Sequence, residues 1–198
     1  NNQIPTPREV LGHPIGERHT RPHEIVEYVR AVAETSDRVI FGEYGRTYEH
    51  RPLVYAVVTS PDNHARLDAL REANLELSDR PEDVSDERIE SMPVVVEMNY
   101  NVHGNEASGS EAALLTLYHL AAGEGTPVDE VLENAIVIID PLVNPDGRDR
   151  FVDWVNGNGG AVPTADPQHR QNREPWPQSR TNHYWFDLNR DWLPARHP

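Results

Sequence analysis

Two short runs of apolar residues constrain this 198-residue chain more than any other feature. The first, Val94-Val95-Val96-Glu97-Met98-Asn99, follows Met92-Pro93, and the second, Ala135–Ile139, closes at Asp140-Pro141. Continuous β-branched runs of this length read as strands covered on both faces rather than as the alternating strands of a half-solvated sheet. Between them, Ser108-Gly109-Ser110-Glu111 has the spacing of a capping box. Ala112, Leu115, Tyr118 and His119 continue a helix that Gly123 ends. Strand, helix and strand in this order predict parallel pairing. The chain is therefore expected to be α/β, with a mixed, partly parallel central sheet flanked by helices and Val94–Asn99 as a buried central strand.

The remaining elements fit around that unit. Residues 1–22 carry Pro5, Pro7, Pro14 and Pro22 and read as an irregular lead-in. Ile25, Val26, Val29, Val32 and Ala33 recur at helical spacing, which predicts a helix from Pro22 to Ser36. Val39–Tyr44 and Leu53–Thr59 are rich in strand formers and read as a hairpin or paired strands. Leu67, Leu70, Ala73 and Leu77 predict a helix over 63–77, and the acidic stretch 78–91 reads as a solvated loop. From Asn144 to about Phe186 there is little periodicity and much Gly, Pro, Asn and Gln, so a long loop over 144–186 is expected. A loop of that length inside a compact domain usually carries function. At roughly 150 residues per domain, the length suits one domain or part of a larger one, and residues 1–198 are read as a single unit.

Composition removes several function classes. The chain has 18 basic residues, every one of them Arg, against 33 acidic ones, a net charge of −15. A field this negative repels nucleic acid and anionic membranes. The absence of Cys excludes disulfides, thiolate metal sites and Cys nucleophiles. No apolar run approaches the ~18–20 residues a membrane helix needs.

The residues able to do chemistry stand at the strand ends, where open α/β sheets bind ligands. Asn101-Val102-His103-Gly104-Asn105-Glu106 follows the first apolar run. His and Glu three apart in such a turn can converge on one ion, a donor pair suited to a His₂Glu zinc site. Taken alone, the pair also fits a His hydrogen-bonded in a turn and a Glu beside a helix N-terminus. Asn144-Pro145-Asp146-Gly147 follows the second run and by itself fits an ordinary turn. Asp187-Leu188-Asn189-Arg190-Asp191-Trp192 comes last, with Arg180 upstream. Arg180 and Arg190 are planar donors suited to a carboxylate, Asn189 adds an amide donor, and Asp187 can orient a metal-bound His. A surface Arg–Asp cluster would look the same in isolation.

The order of the three motifs resembles the zinc carboxypeptidases of the M14, carboxypeptidase A-like family. The resemblance covers residues 92–192, and Gly45-Arg46-Thr47-Tyr48-Glu49 also looks like members of that family. It implies that His103 and Glu106 ligate one Zn²⁺ ion and that Asp187 is the carboxylate behind His103. It also implies that Asn189 and Arg190 grip the C-terminal carboxylate of a peptide or protein substrate. Arg180, nine before Asn189, would polarise the scissile carbonyl, with Arg173 as a competing candidate. D-L-N-R-D-W departs from the commoner D-L-N-R-N-F ending. The family's third zinc ligand, a later His, and its Glu general base would fall beyond Pro198, so the resemblance implies the N-terminal half of a catalytic domain, inactive alone. Of the other His residues, His197 follows too closely, His119 lies on a helix, and His169 and His183 lie in the loop, with His183 the nearest substitute. The alternatives are an aspartoacylase-like zinc amidohydrolase and a non-catalytic module that binds C-termini. A secreted or periplasmic setting would suit such a hydrolase.

Overall fold

A computed structural model describes residues 4–195. A four-stranded sheet in the order β1-β2-β4-β3 forms its centre. β1 (Val39–Arg46) and β2 (Pro52–Val58) make an antiparallel hairpin. β2 runs antiparallel to β4 (Ala135–Asp140), and β4 runs parallel to β3 (Val94–Asn99), each β3 residue pairing with its β4 counterpart from Val94–Ala135 to Asn99–Asp140. The sheet is thus mixed and partly parallel, as the two apolar runs predict.

The strand buried between neighbours is β4, whereas β3 pairs with β4 alone among the described residues. Among the described residues Val94, Val95 and Val96 are 60%, 43% and 39% exposed, and the strand expected to be central has a single neighbour there. A β-branched run dictates extended backbone, but its burial depends on which neighbours pair with it.

Helices cover the sheet. α2 (Pro22–Thr35) buries Ile25, Tyr28, Val29 and Val32 against Ala56, Val58, Val137 and Ile139 of the sheet and Leu114 and Leu117 of α6 (Gly109–Ala122). The lead-in is not wholly irregular. It contains α1 (Pro7–Leu11), closed by a Thr6–Glu9 capping box in which the Glu9 carboxylate accepts from the Thr6 N–H at 2.7 Å. The helix expected over 63–77 is split into α3 (Pro61–His64) and α4 (Leu67–Asp79), and the acidic stretch holds α5 (Asp86–Glu90). α7 (Thr126–Asn134) leads into β4. Among the described residues, no helix is long and apolar enough to cross a membrane.

Two further expectations are overturned. The Ser108–Glu111 capping box does not form, because the Ser108 side chain makes no cap bond. Asn101, just past β3 at φ +52°, caps the turn instead, its Oδ1 accepting from the Ser110 N–H at 2.7 Å. Glu111 is drawn away to Arg148. The long loop also begins later than expected, because Pro145–Asn158 forms a helix, α8. Asn144 is its cap, accepting from the Gly147 N–H at 2.9 Å, and Pro145 occupies the first turn, where its missing N–H costs nothing. Irregular chain with isolated short turns then runs from Gly159 to Asp187.

Candidate metal and carboxylate site

The end of β3 launches the His103 turn. Left-handed backbone is tolerated by Asn better than by most residues, and at Asn101 it turns the chain back so that Nδ2 donates to the carbonyls of His103 and Gly104. The His103 ring lies 7% exposed with its two nitrogens facing different partners. Nε2 is 3.0 Å from Asp187 Oδ1, and Nδ1 is 3.3 Å from Glu106 Oε1. Glu106 Oε2 accepts from the His103 N–H at 3.3 Å, which holds the carboxylate over its own turn.

Asp187 joins three segments. Besides His103, its Oδ2 accepts from Arg180 Nε at 3.0 Å, and its Oδ1 accepts from the Asn189 N–H at 3.0 Å, capping the 3-10 turn Leu188–Arg190. Burial alone would raise the Asp187 pKa, but the hydrogen bonds from His103 and Arg180 and the Arg180 charge outweigh it and hold the carboxyl below its ordinary range. Arg180 uses only Nε here, so the two terminal nitrogens of its half-exposed guanidinium make no hydrogen bond among the described residues. Asn189 and Arg190 are exposed on the same turn.

The segment carrying Arg180 is held by α8. Asn144 Nδ2 donates to the Arg180 carbonyl at 3.2 Å, and the Arg150 guanidinium bonds the carbonyls of Gln178, Thr181 and Asn182. Glu174 ties the same loop to the His103 turn, accepting from Asn105 Nδ2 at 3.2 Å and from the Ser179 N–H at 2.7 Å. Where α8 meets the His103 turn, Gly104 lies so close that a Cβ there would fall inside the backbone of Gly147 and Arg148. N-P-D-G is therefore a helix start clamped between the His103 turn and the Arg180 loop, not a free turn.

Other candidates lie apart from the cluster. Arg173 donates to Gln168 at 2.9 Å within the loop, leaving Arg180 as the Arg beside Asp187. His183 turns its Nδ1 to Glu49 at 2.9 Å and packs its ring against Tyr184, while His169 accepts from the Gln171 N–H. His119 is exposed on α6, and His197 lies outside the described residues. Among the described residues, no group of three His, Cys, Asp or Glu side chains is placed to hold a metal ion. His103 and Glu106 nonetheless fit zinc as a donor pair: one imidazole nitrogen and one carboxylate face each other, and the other ring nitrogen is already held by a carboxylate.

Sequence reasoning did not single out Asn101 or Arg148. Arg148 is wholly buried, pairs with both Glu111 oxygens at 2.7 Å, and donates to the Glu106 and Ala107 carbonyls, so it fixes the end of the His103 turn. Its signal was an Arg on the same helical face as Phe151, Val152 and Val155, an apolar stripe with one cation in it.

No curated protein sequence matches the chain. Among solved structures, a metallo-carboxypeptidase from Burkholderia cenocepacia aligns with a TM-score of 0.52 at 19% identity, covering 86% of this chain and 32% of that one. Thrombin-activatable fibrinolysis inhibitor aligns with a TM-score of 0.52 at 16% identity, covering 76% of this chain and 32% of that one. The chain thus spans about a third of the length of these structures, and the likeness establishes the fold. The family model described as zinc carboxypeptidase matches residues 25–197, which favours neither the amidohydrolase nor the binding-module alternative. That match takes in every candidate residue from His103 to Arg190, and the chain belongs to the zinc carboxypeptidase family, peptidase M14.

Proposed function

We propose that this chain supplies two zinc ligands and the substrate-carboxylate grip of a metallocarboxypeptidase that hydrolyses the last peptide bond of a peptide or protein. The observation that carries the reading is the Asp187 carboxylate, which bonds His103 and Arg180 together. In the tautomer that donates Nε2–H to Asp187, the His103 ring turns its Nδ1 lone pair toward Glu106, where an ion would accept it. His103 and Glu106 would hold the ion; among the described residues no third His, Cys, Asp or Glu donor stands with them. Zinc supplies Lewis-acid polarisation of the amide carbonyl there.

The protein's own groups set which bond is cut. Arg190 and the Asn189 amide bind the terminal carboxylate, fixing the register of the substrate. The free guanidinium nitrogens of Arg180 meet the negative charge that develops on the carbonyl oxygen, an effect worth ~10²–10³ in rate for a single directed donor. Water adds to the carbonyl carbon, the C–N bond breaks, and a free amino acid leaves from a chain shortened by one residue.

The test begins with zinc titration of the purified chain by calorimetry. Binding is expected to be weak and to be abolished in His103→Ala and in Glu106→Ala. Binding that neither substitution changes overturns the metal assignment. In a second arm, peptides with a free C-terminus are expected to bind while their C-terminal amides do not, and equal binding of both removes the exopeptidase reading.

A further inference from the structure

The indole of Trp192 contacts the side chain that the proposed reaction uses to recognise substrate. Its Nε1–H donates to Asn189 Oδ1 at 2.8 Å across a three-residue step. The Asn189 backbone is fixed separately, because its N–H donates to Asp187. Arg190 is anchored to the same unit, its Nη1 donating to the Asn189 carbonyl at 3.0 Å. Asn189 Nδ2, by contrast, makes no hydrogen bond among the described residues.

A carboxamide can present either a donor or an acceptor to an incoming group. Toward a carboxylate, only the NH₂ end is attractive; the carbonyl end repels it. An exposed Asn with no partner samples both orientations and binds an anion through only part of its population. Occupying Oδ1 with an indole N–H, which can only donate, excludes the repulsive orientation and leaves the NH₂ outward. The whole-chain charge sharpens the requirement. At a net charge of −15 the long-range field repels an anionic C-terminus, so recognition rests on directed donors at short range.

We propose that Trp192 is a positioning residue that sets the polarity of the Asn189 amide and thereby makes the site selective for a free terminal carboxylate over an uncharged terminus. This inference rests on the proposed carboxylate-binding role of Asn189 and Arg190. Trp192 does not touch the substrate in it; the indole acts through Asn189. The ring itself is 61% exposed, so replacing it with Phe removes the N–H while altering little of the packing beneath it.

The experiment measures binding of N-acetyl-phenylalanine and of N-acetyl-phenylalaninamide to the chain by NMR titration. The proteins are wild type, Asn189→Ala, Trp192→Phe and the double variant, with thermal unfolding measured in parallel. The wild type is expected to prefer the carboxylate. Trp192→Phe is expected to lose about three- to tenfold in affinity for the carboxylate, the scale of one hydrogen bond, with amide binding and unfolding temperature unchanged. The double variant is expected to match Asn189→Ala, because the indole has no other route to the ligand. If Asn189→Ala weakens carboxylate binding and Trp192→Phe does not, the positioning role is overturned while the C-terminus reading stands. Additive losses in the double variant also overturn it. If neither Asn189→Ala nor a parallel Arg190→Ala changes carboxylate binding, the substrate reading fails and this inference fails with it.

Discussion

Replacing Arg148 by Met tests the buried pair beneath the site. The guanidinium is wholly buried, and Glu111, its partner, is 6% exposed. Both Glu111 oxygens lie 2.7 Å from Arg148 Nη2, and the carboxylate's other bond is from the Thr20 N–H at 2.8 Å. Burial pulls the Arg148 pKa down, and the charge and hydrogen bonds of Glu111 oppose that pull. Met fills similar volume but strands the carboxylate, and removing one partner of a buried pair costs about 3–5 kcal/mol. The carbonyls of Thr20, Glu106 and Ala107 lose donors at 3.3 Å, adding about 1 kcal/mol between them since these contacts are long. A total near ~4–6 kcal/mol corresponds to a fall of roughly 8–24 °C in the unfolding midpoint for a chain of this size. Arg148→Met/Glu111→Gln keeps an acceptor for Thr20 and removes the charge, so it is expected to be more stable than the single variant. Urea unfolding followed by Trp fluorescence gives each value. A single-variant loss below 1 kcal/mol, or a double variant no better than the single, would refute the reasoning.

Two further substitutions probe the clamp and the sheet. A Cβ at Gly147 would sit 2.6 Å from the Ser179 carbonyl and 2.8 Å from the Thr181 carbonyl, so Gly147→Ala must push the Arg180 loop outward. It is expected to cost about 1–3 kcal/mol and to weaken zinc binding as Asp187 shifts from His103, measured by urea unfolding and calorimetry. Asp140, at the end of β4, accepts from the Tyr44 hydroxyl and the Leu142 N–H, yet burial prevails and pushes its pKa from 3.8 up to about 6. The folded state then holds a proton that the unfolded state has released, so this group's contribution to stability falls as pH rises from about 4 to about 6, by roughly 3 kcal/mol. Asp140→Asn is expected to flatten that slope in unfolding midpoints measured across the interval; an unchanged slope would remove Asp140 as its source.

What the sequence revealed and what it hid divide along one physical line. α2 was legible because its buried side chains are apolar and recur at 3.6 residues, and β4 because it is apolar from Ala135 to Ile139. α8 was not, because its buried face includes Asp146, Gly147 and Arg148. Those residues look like a loop to any reading based on hydrophobic period. Their partners, Thr47 for Asp146 and Glu111 for Arg148, stand far away in the chain. The capping box misled for the same reason: Glu111 has the right spacing, but a buried guanidinium outcompetes an exposed backbone N–H for its carboxylate. His103, Glu106, Arg180 and Asp187, which the structure brings together, stand in ordered motifs that the sequence displays. That Asn101, Asn144 and Arg148 set their positions was not legible, since each acts through a three-dimensional contact with no fixed spacing.

The same line explains how a segment without regular structure can place Arg180 and Asp187. From Gly159 to Asp187 few side chains are buried, and Trp176, Tyr184, Trp185 and Phe186 are exposed, so hydrophobic burial contributes little to its conformation. What holds it is a set of directed bonds from rigid elements to loop backbone: Asn144 and Arg150 from α8, with Glu174 linking the loop to the His103 turn. Hydrogen bonds fix distance and angle within narrow limits but contribute only about 1 kcal/mol each to stability. Loss of any one anchor therefore displaces Arg180 and Asp187 while the sheet and its helices remain folded. Substitutions at Arg150 should accordingly separate the two properties, leaving the unfolding midpoint nearly unchanged while zinc affinity and carboxylate binding both fall.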